Sequence, residues 1–575
     1  MCSGHLPLNT TEASVSQVNQ IALEYLEAAS RLDPVSAFTR GDLRFAAELT
    51  DYSPEGESAR AELARTTLGQ VRRTVSADGE KIGRDAMLDR LQVIGDLFDS
   101  QEWLHGVNVF GPQVEIRQSF DLMPLRDDSD WSALAAKMAL VPRALAGFQA
   151  TLRDGMQRGQ VDSRRLALAC AAQTRTWAGT QGKPGYFATL ISRYRAGGSS
   201  LERYLGEGAA AAQTAYLALT RFLEDEYAKS APDSDGVGPE RYPLHVRRFL
   251  GVELDLAEAY QFGWSELDRL EQEMAEVAER IAPGQGIAGA IAQMEGDPAR
   301  VIEGEDSFRA WNQELLDATV AQLSGRHFDI PDPVRRVEAM IAPPGGSPAM
   351  YYTPPSLDFS RPGRTWYPTL GRTRFPLWTE VSTAYHEGLP GHHLQLAQIC
   401  YINDQLNPFQ TLLGAVSGHT EGWALYAERL MDELGYLDKD DYRLGMLAAQ
   451  AMRAARVVVD IGLHLRIPIP THQRFHPGEN WSWELAVQFM MEKSRHGREF
   501  CAGEVDRYLG VPAQAISYKV GERVWLEARE SARRNCGPRF NLKAFHKLAL
   551  NLGCIGLDQL RDAIAKIGPD DMPLA

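Results

Sequence analysis

The stretch Ala384-Tyr-His-Glu-Gly-Leu-Pro-Gly-His-His393 sets a histidine beside a glutamate and follows the pair with two more imidazoles. In the His-Glu-x-x-His arrangement, two histidines four apart share one face of a helix and bind Zn²⁺, while the glutamate takes a proton from water. Here the fourth position after His386 is Pro390, and the next histidines are His392 and His393. Proline has no N–H to give to the carbonyl of His386, so the helix must bulge or break there, with Gly391 free to take unusual dihedrals. A two-residue insertion before the ligand makes His392 the second metal-binding residue. His393 then stands behind the ligands or faces substrate, and His393 as the ligand is the alternative.

Two imidazoles leave a catalytic zinc short of one protein ligand. The segment Thr420-Glu-Gly-Trp-Ala-Leu-Tyr-Ala-Glu428 offers two carboxylates at the start of an apolar helical run. Glu421 and Glu428 are two turns apart, roughly 10 Å at 1.5 Å per residue, so only one of them reaches the ion, and Glu421 is the candidate. Hydrolysis of an amide builds negative charge on the carbonyl oxygen, which a Tyr, His or Arg donor can stabilise. Tyr518, in Gln514-Ala-Ile-Ser-Tyr-Lys-Val-Gly521, is the candidate donor, with His464 in reserve.

Taken singly, each feature has a plainer reading. A His-Glu pair with nearby histidines is commonly a helix surface, Glu421 and Glu428 could be the solvated edge of an amphipathic helix, and Tyr518 could be a core aromatic. His419, His464 and His476 read as structural or surface residues, and Arg453 and Arg456 as a solvated or salt-bridged face rather than a clamp for a substrate carboxylate. Three segments in the right order, each supplying the group the chemistry lacks, favour the zinc site.

These segments together resemble a bacterial family catalogued as domain of unknown function 885, with its His-Glu-x-x-Pro-Gly-His-His core, grouped with the zincin metallopeptidases. Two of them also resemble the alanyl-type zinc aminopeptidases. Thr420-Glu421-Gly422-Trp423-Ala424-Leu425-Tyr426 is similar to their Asn-Glu-Gly-Phe-Ala-x-Tyr, and Ser517-Tyr518-Lys519-Val520-Gly521 to their Ser-Tyr-x-Lys-Gly. Gly391-His392 is similar to the Gly-His pair of the dipeptidyl-peptidase-three family, whose motif carries one extra residue. The resemblance implies a gluzincin-type site with His386, Glu387, Glu421 and Tyr518 in the matching roles. The Gly-x-Met-Glu-Asn segment by which alanyl aminopeptidases hold a free amino terminus has no counterpart, so aminopeptidase specificity does not carry over.

Composition fits a large enzyme. The chain has 575 residues, more than one core organises, so two lobes are expected. Its formal charge of −16 argues against nucleic acid and anionic membranes as partners, since both select basic patches. No long apolar run suggests a membrane span, and Met1-Cys-Ser-Gly-His-Leu-Pro-Leu-Asn-Thr10 lacks the pattern of a signal peptide. Six scattered cysteines read as reduced cytoplasmic thiols.

The dominant period along the chain is helical. Leu256, Tyr260, Trp264, Leu267, Met274, Val277 and Ile281 form one apolar stripe on a helix begun at Asp255, and similar patterns fill 13–31, 56–76, 85–101, 131–158, 163–179 and 208–229. After residue 327 the character changes: Val334–Ile341, Ala349–Thr353 and Thr365–Thr369 read as short strands, and a helix is expected from 441 to 465. The segment around Met350-Tyr-Tyr-Thr353 is the candidate edge strand for an extended substrate.

The expected architecture is mainly α, a zincin-like (gluzincin) fold with a small β-sheet next to the active-site helix. An N-terminal helical region over 1–330 precedes a catalytic region over 331–575, the cleft lying between them. The expected reaction is hydrolysis of a peptide or small amide bond. One Zn²⁺ per chain is held by His386, His392 and Glu421, Glu387 is the general base and Tyr518 the oxyanion donor. Two alternatives stay open: a non-catalytic helical binding protein with a degenerate metal site, and a zinc hydrolase of a non-peptide amide.

Overall fold

The computed structural model describes residues 16–179, 182–195, 199–342 and 349–573. The protein is mainly helical with two small sheets. Its residues form two compact units, one of residues up to Ala77, Arg90–Val237 and Gly503–Val511, the other of Asp78–Asp89, Gly238–Ala502 and Pro512–Ala575. The second unit takes in residues 238–330, which the sequence pattern groups with the N-terminal helices.

The first unit is helical. Asp128–Arg158 packs along Ser199–Phe222, which also packs on Arg164–Ala178, and Gln17–Leu32 packs on Pro54–Arg73. Four of these five starts are chemically marked. Ser16, Ser53, Asp127 and Ser163 accept hydrogen bonds from the first-turn amides, the groups a helix cannot satisfy from within.

The second unit carries every candidate site residue. Helix α1 (Leu256–Ile281) begins where Asp255 accepts from the amides of Ala257 and Glu258, and its stripe of Tyr260, Trp264, Leu267, Met274 and Val277 is buried. Helix α2 (Glu305–Leu323) follows, and its flank packs on strand β2 (Val337–Ile341). Strands β3 (Tyr351–Thr353) and β4 (Gly363–Tyr367) complete a sheet of order β2-β4-β3, in which β2 runs parallel to β4 and β3 antiparallel to it. The alternation foreseen from 334 is narrower in fact, because Asp332–Arg335 closes a turn of 3₁₀-helix before β2 begins. A separate two-stranded ribbon pairs β1 (Val301–Glu303) with β5 (Arg374–Pro376).

Helix α3 (Leu377–Glu387) carries the first histidine, α4 (His392–Tyr401) the second, α5 (Ser417–Glu433) the acidic pair, α6 (Asp440–Leu465) the two arginines, and α7 (Ser517–Cys536) Tyr518. Helix α6 is the spine of this unit. It is buried at nearly every position from Leu444 to His464, and packs against α1, α3 and α7. Helix α5 lies against α3, α4 and α7. Among the described residues no helix is long and apolar enough to cross a membrane, and Cys170, Cys400, Cys501, Cys536 and Cys554 are buried.

Candidate metal centre

The helix breaks where Pro390 stands. Helix α3 ends at Glu387, the Leu389–Pro390 peptide is cis, and α4 starts at His392. Three backbone bonds tie the break together: Gly388 N–H donates to Ala384, Gly391 N–H to Tyr385 across a widened turn, and His393 N–H to Gly388. Gly391 is needed for this closeness, since a Cβ there would collide with the carbonyl oxygens of Tyr385 and His386. From α5, the indole N–H of Trp423 donates to the carbonyls of Pro390 and Gly391 at 2.9 and 3.2 Å. The two histidine helices are thereby held against the helix that carries Glu421.

The consequence is convergence. One donor atom each from His386, His392 and Glu421 lies within 4.8 Å of the others. Glu421 Oε2 is 3.3 Å from His386 Nε2 and 3.4 Å from His392 Nε2, and the two imidazole planes stand 86° apart. Ligands bonded tetrahedrally at ~2.0–2.2 Å are separated by roughly 3.3–3.6 Å, so these spacings suit a zinc ion. Glu421 Oε2 is buried and accepts no well-formed hydrogen bond among the described residues, as a carboxylate reserved for a cation would be. The donor set of two imidazoles and one carboxylate is that of a catalytic zinc site with an open position.

Around this triad the charges are arranged in layers. Glu387, the residue after His386, is buried, and burial raises its carboxyl pKa, against the opposing pull of His392 and His386. Burial also opposes ionisation of Glu421, but the attraction of the two imidazoles overrides it and its pKa is lowered. For His386 burial disfavours the proton, yet the carboxylates of Glu421 and Glu428 outweigh it and leave the pKa raised to about 9. Three carboxylates facing two imidazoles make a field that favours a cation. Tyr518 lies at the rim, its ring nearly parallel to that of His386 with centroids 6.4 Å apart, and the Arg456 guanidinium covers it at 4.6 Å.

Several residues stand elsewhere than their sequence context suggests. His393 is fully buried, outside the triad: its Nε2–H donates to the carbonyl of Val334 at 2.7 Å, and its Nδ1 accepts from Tyr352 O–H at 2.8 Å. It is a strut joining α4 to β3 and the turn before β2. Glu428 is not a solvated edge but fully buried, with its Oε1 2.7 Å from His386 Nδ1. Of the two readings of Arg453 and Arg456, salt-bridged rather than solvated holds for Arg453, which pairs with Glu428 at 3.9 Å, and Arg456 is buried. His464 is buried 3.8 Å from Asp460, with its ring 5.4 Å from that of Tyr242, and it is not among the groups gathered at the triad. His419 is a buried partner of Gln395, and His476 pairs with Glu479.

Solved structures share this architecture. One is described as a "putative lipoprotein" from Colwellia psychrerythraea, with 21% identity, a TM-score of 0.79, and coverage of 95% of this chain and 98% of that one. A second, a "putative lipoprotein of unknown function" from Shewanella oneidensis, has 17% identity and a TM-score of 0.70 over 96% of this chain and 100% of that one. At these identities they show a common fold. No curated protein matches the sequence significantly. The profile of the family described as "Bacterial protein of unknown function (DUF885)" matches residues 34–564, a span that includes both histidine helices, the Glu421 helix and Tyr518, and the chain belongs to that family.

Proposed function

We propose that this protein is a zinc-dependent hydrolase of peptide (amide) bonds, built on a zincin-like helical core of the gluzincin type. The observation that carries the reading is the meeting of His386, His392 and Glu421 at spacings that suit zinc, with Glu387 buried and interacting electrostatically with all three. A binding protein with a degenerate site has no use for a general base at that position.

His386, His392 and Glu421 would hold the ion. Zinc, when bound, supplies a Lewis acid that polarises the substrate carbonyl and acidifies water. Glu387 accepts the proton of the attacking water at its carboxylate and returns it to the leaving nitrogen; its raised pKa brings it closer to the range in which both transfers are feasible. Tyr518 donates its hydroxyl to the oxyanion that forms. Strand β3 is an edge of its sheet and is tied to the residue after His392 through Tyr352 and His393. An extended peptide laid along it would gain backbone hydrogen bonds that ignore side-chain identity.

The test is zinc content of the purified protein, with digestion of a broad peptide library and of small amides by wild type and Glu387→Gln. About one zinc per chain, peptide cleavage by wild type and none by the variant are expected. A chain that takes up no zinc, or a variant that cleaves as fast as wild type, overturns the proposal.

A further inference from the structure

One helix touches both nitrogens of the same imidazole. Glu421 and Glu428 are two turns apart on α5, a rise of roughly 10 Å, and the ring of His386 lies between them. Its Nε2 is 3.3 Å from Glu421 and its Nδ1 2.7 Å from Glu428. We infer that Glu428 is a positioning residue that fixes His386 as a metal ligand, an inference that rests on the zinc reading above.

Three features carry it. A carboxylate accepts and cannot donate, so at 2.7 Å it requires the hydrogen on Nδ1, and Nε2, facing Glu421 and His392, is the nitrogen whose lone pair an ion would take in exchange for a proton. The carboxylate is itself held. Its other oxygen accepts a close hydrogen bond from Ser382, one turn before His386 on α3, and Arg453 of α6 lies 3.9 Å from Oε1. Glu428 is fully buried, and a buried charge is costly unless it is paired and hydrogen-bonded. A solvated helix edge would show neither the burial nor the partners.

The second histidine is treated differently. His392 Nδ1 is buried and makes no hydrogen bond among the described residues. Orientation of the ligand set therefore rests on the His386 side, and carboxylate contacts of this kind commonly govern metal affinity by 10- to 100-fold.

The experiment measures zinc dissociation constants by chelator competition for wild type, Glu428→Gln and Ser382→Ala, with the visible spectrum of the Co²⁺-loaded proteins as a report on ligand geometry. Glu428→Gln should bind zinc roughly 10- to 100-fold more weakly and change the cobalt spectrum, and Ser382→Ala should lie between it and wild type. A purely structural role would lower the unfolding temperature and leave both readouts of the folded protein unmoved. If Glu428→Gln does not fold, Ser382→Ala decides, since its hydroxyl serves the same carboxylate; zinc affinity and spectrum equal to wild type then overturn the inference. Wild type that binds zinc together with a folded Glu428→Gln that binds it equally well overturns the inference alone. Wild type that binds no zinc overturns the zinc reading and this inference with it.

Discussion

Gly422 of α5 and Gly521 of α7 meet backbone to backbone, with no room for a side chain between them. A Cβ on Gly422 would lie 2.6 Å from the Cα of Gly521, and one on Gly521 would lie 2.7 Å from the Cα of Gly422 and collide with the carbonyl oxygen of Gly418. Glu421 precedes the first glycine and Tyr518 lies one turn before the second, so this contact sets how near the proposed third ligand comes to the proposed oxyanion donor.

Gly422→Ala should therefore push α7 away from α5. Forcing a methyl group into a packed interior costs about 1–3 kcal/mol, and here the obstacle is backbone, which cannot step aside as a side chain can. The expected outcome is a lowered urea midpoint together with reduced peptide hydrolysis. A control, Gly69→Ala at a half-buried position on Pro54–Arg73 where the nearest atoms are the flexible end of Arg73, should be neutral or slightly stabilising.

The adjacent histidines should separate cleanly. His392→Ala removes a member of the triad and should lose stoichiometric zinc, whereas His393→Ala should retain it. The second variant leaves the Val334 carbonyl and the Tyr352 hydroxyl without their partner, a penalty of about 1–3 kcal/mol in unfolding free energy. Zinc stoichiometry and denaturant unfolding of both variants check this; zinc loss only in His393→Ala would move the ligand to that residue.

The sequence carried the helices well, for a local reason. Asp255 with the stripe from Tyr260 to Val277 states a capped helix and its buried side within one segment, and Pro390 with Gly391 states a break. It could not say what lies against those surfaces. The stripe of α1 does not reveal that its partner is α6, so residues 238–330 could not be grouped with the site unit. Glu428 reads like any solvated acid at a two-turn spacing, and becomes a partner of His386 only because α3 and α6 bury it. The two adjacent histidines are chemically identical in sequence; the start of α4 at His392 and the nearby sheet make one a ligand candidate and the other a strut.

Tyr518→Phe should separate catalysis from binding. Loss of one oxyanion donor commonly lowers turnover by about 10²- to 10³-fold while ground-state affinity changes little. The hydroxyl is expected to leave zinc content unchanged, since it belongs to none of the three ligands. Steady-state kinetics on the best library peptide, with zinc measured in parallel, gives the comparison, and turnover within a fewfold of wild type would remove Tyr518 from the mechanism.

A last prediction concerns acid stability through His546, away from the ligands. Its Nε2 lies 2.7 Å from Tyr426 O–H, and that hydroxyl also receives an N–H from Arg529 at 3.3 Å. With His546 neutral and its hydrogen on Nδ1, the hydroxyl can give its own hydrogen to Nε2 while it accepts from Arg529, an arrangement that protonation of Nε2 would end. Burial, reinforced by the charges of Arg529 and His327, lowers the pKa to about 3, against ~6.5 in an unfolded chain. Between those values the unfolded state binds the proton and the folded state does not, so stability falls as the pH drops, by up to about 1.4 kcal/mol per pH unit from this residue. Above ~6.5 neither state is protonated and the contribution is flat. His546→Phe keeps a ring against Phe328, which stacks on His546 at 4.8 Å, but cannot titrate. Urea unfolding of both proteins between pH ~7 and ~4 should show the wild type losing stability more steeply on acidification than the variant. Parallel curves would mean that His546 takes up its proton without unfolding the chain, and that the Tyr426 hydrogen bond does not hold it neutral.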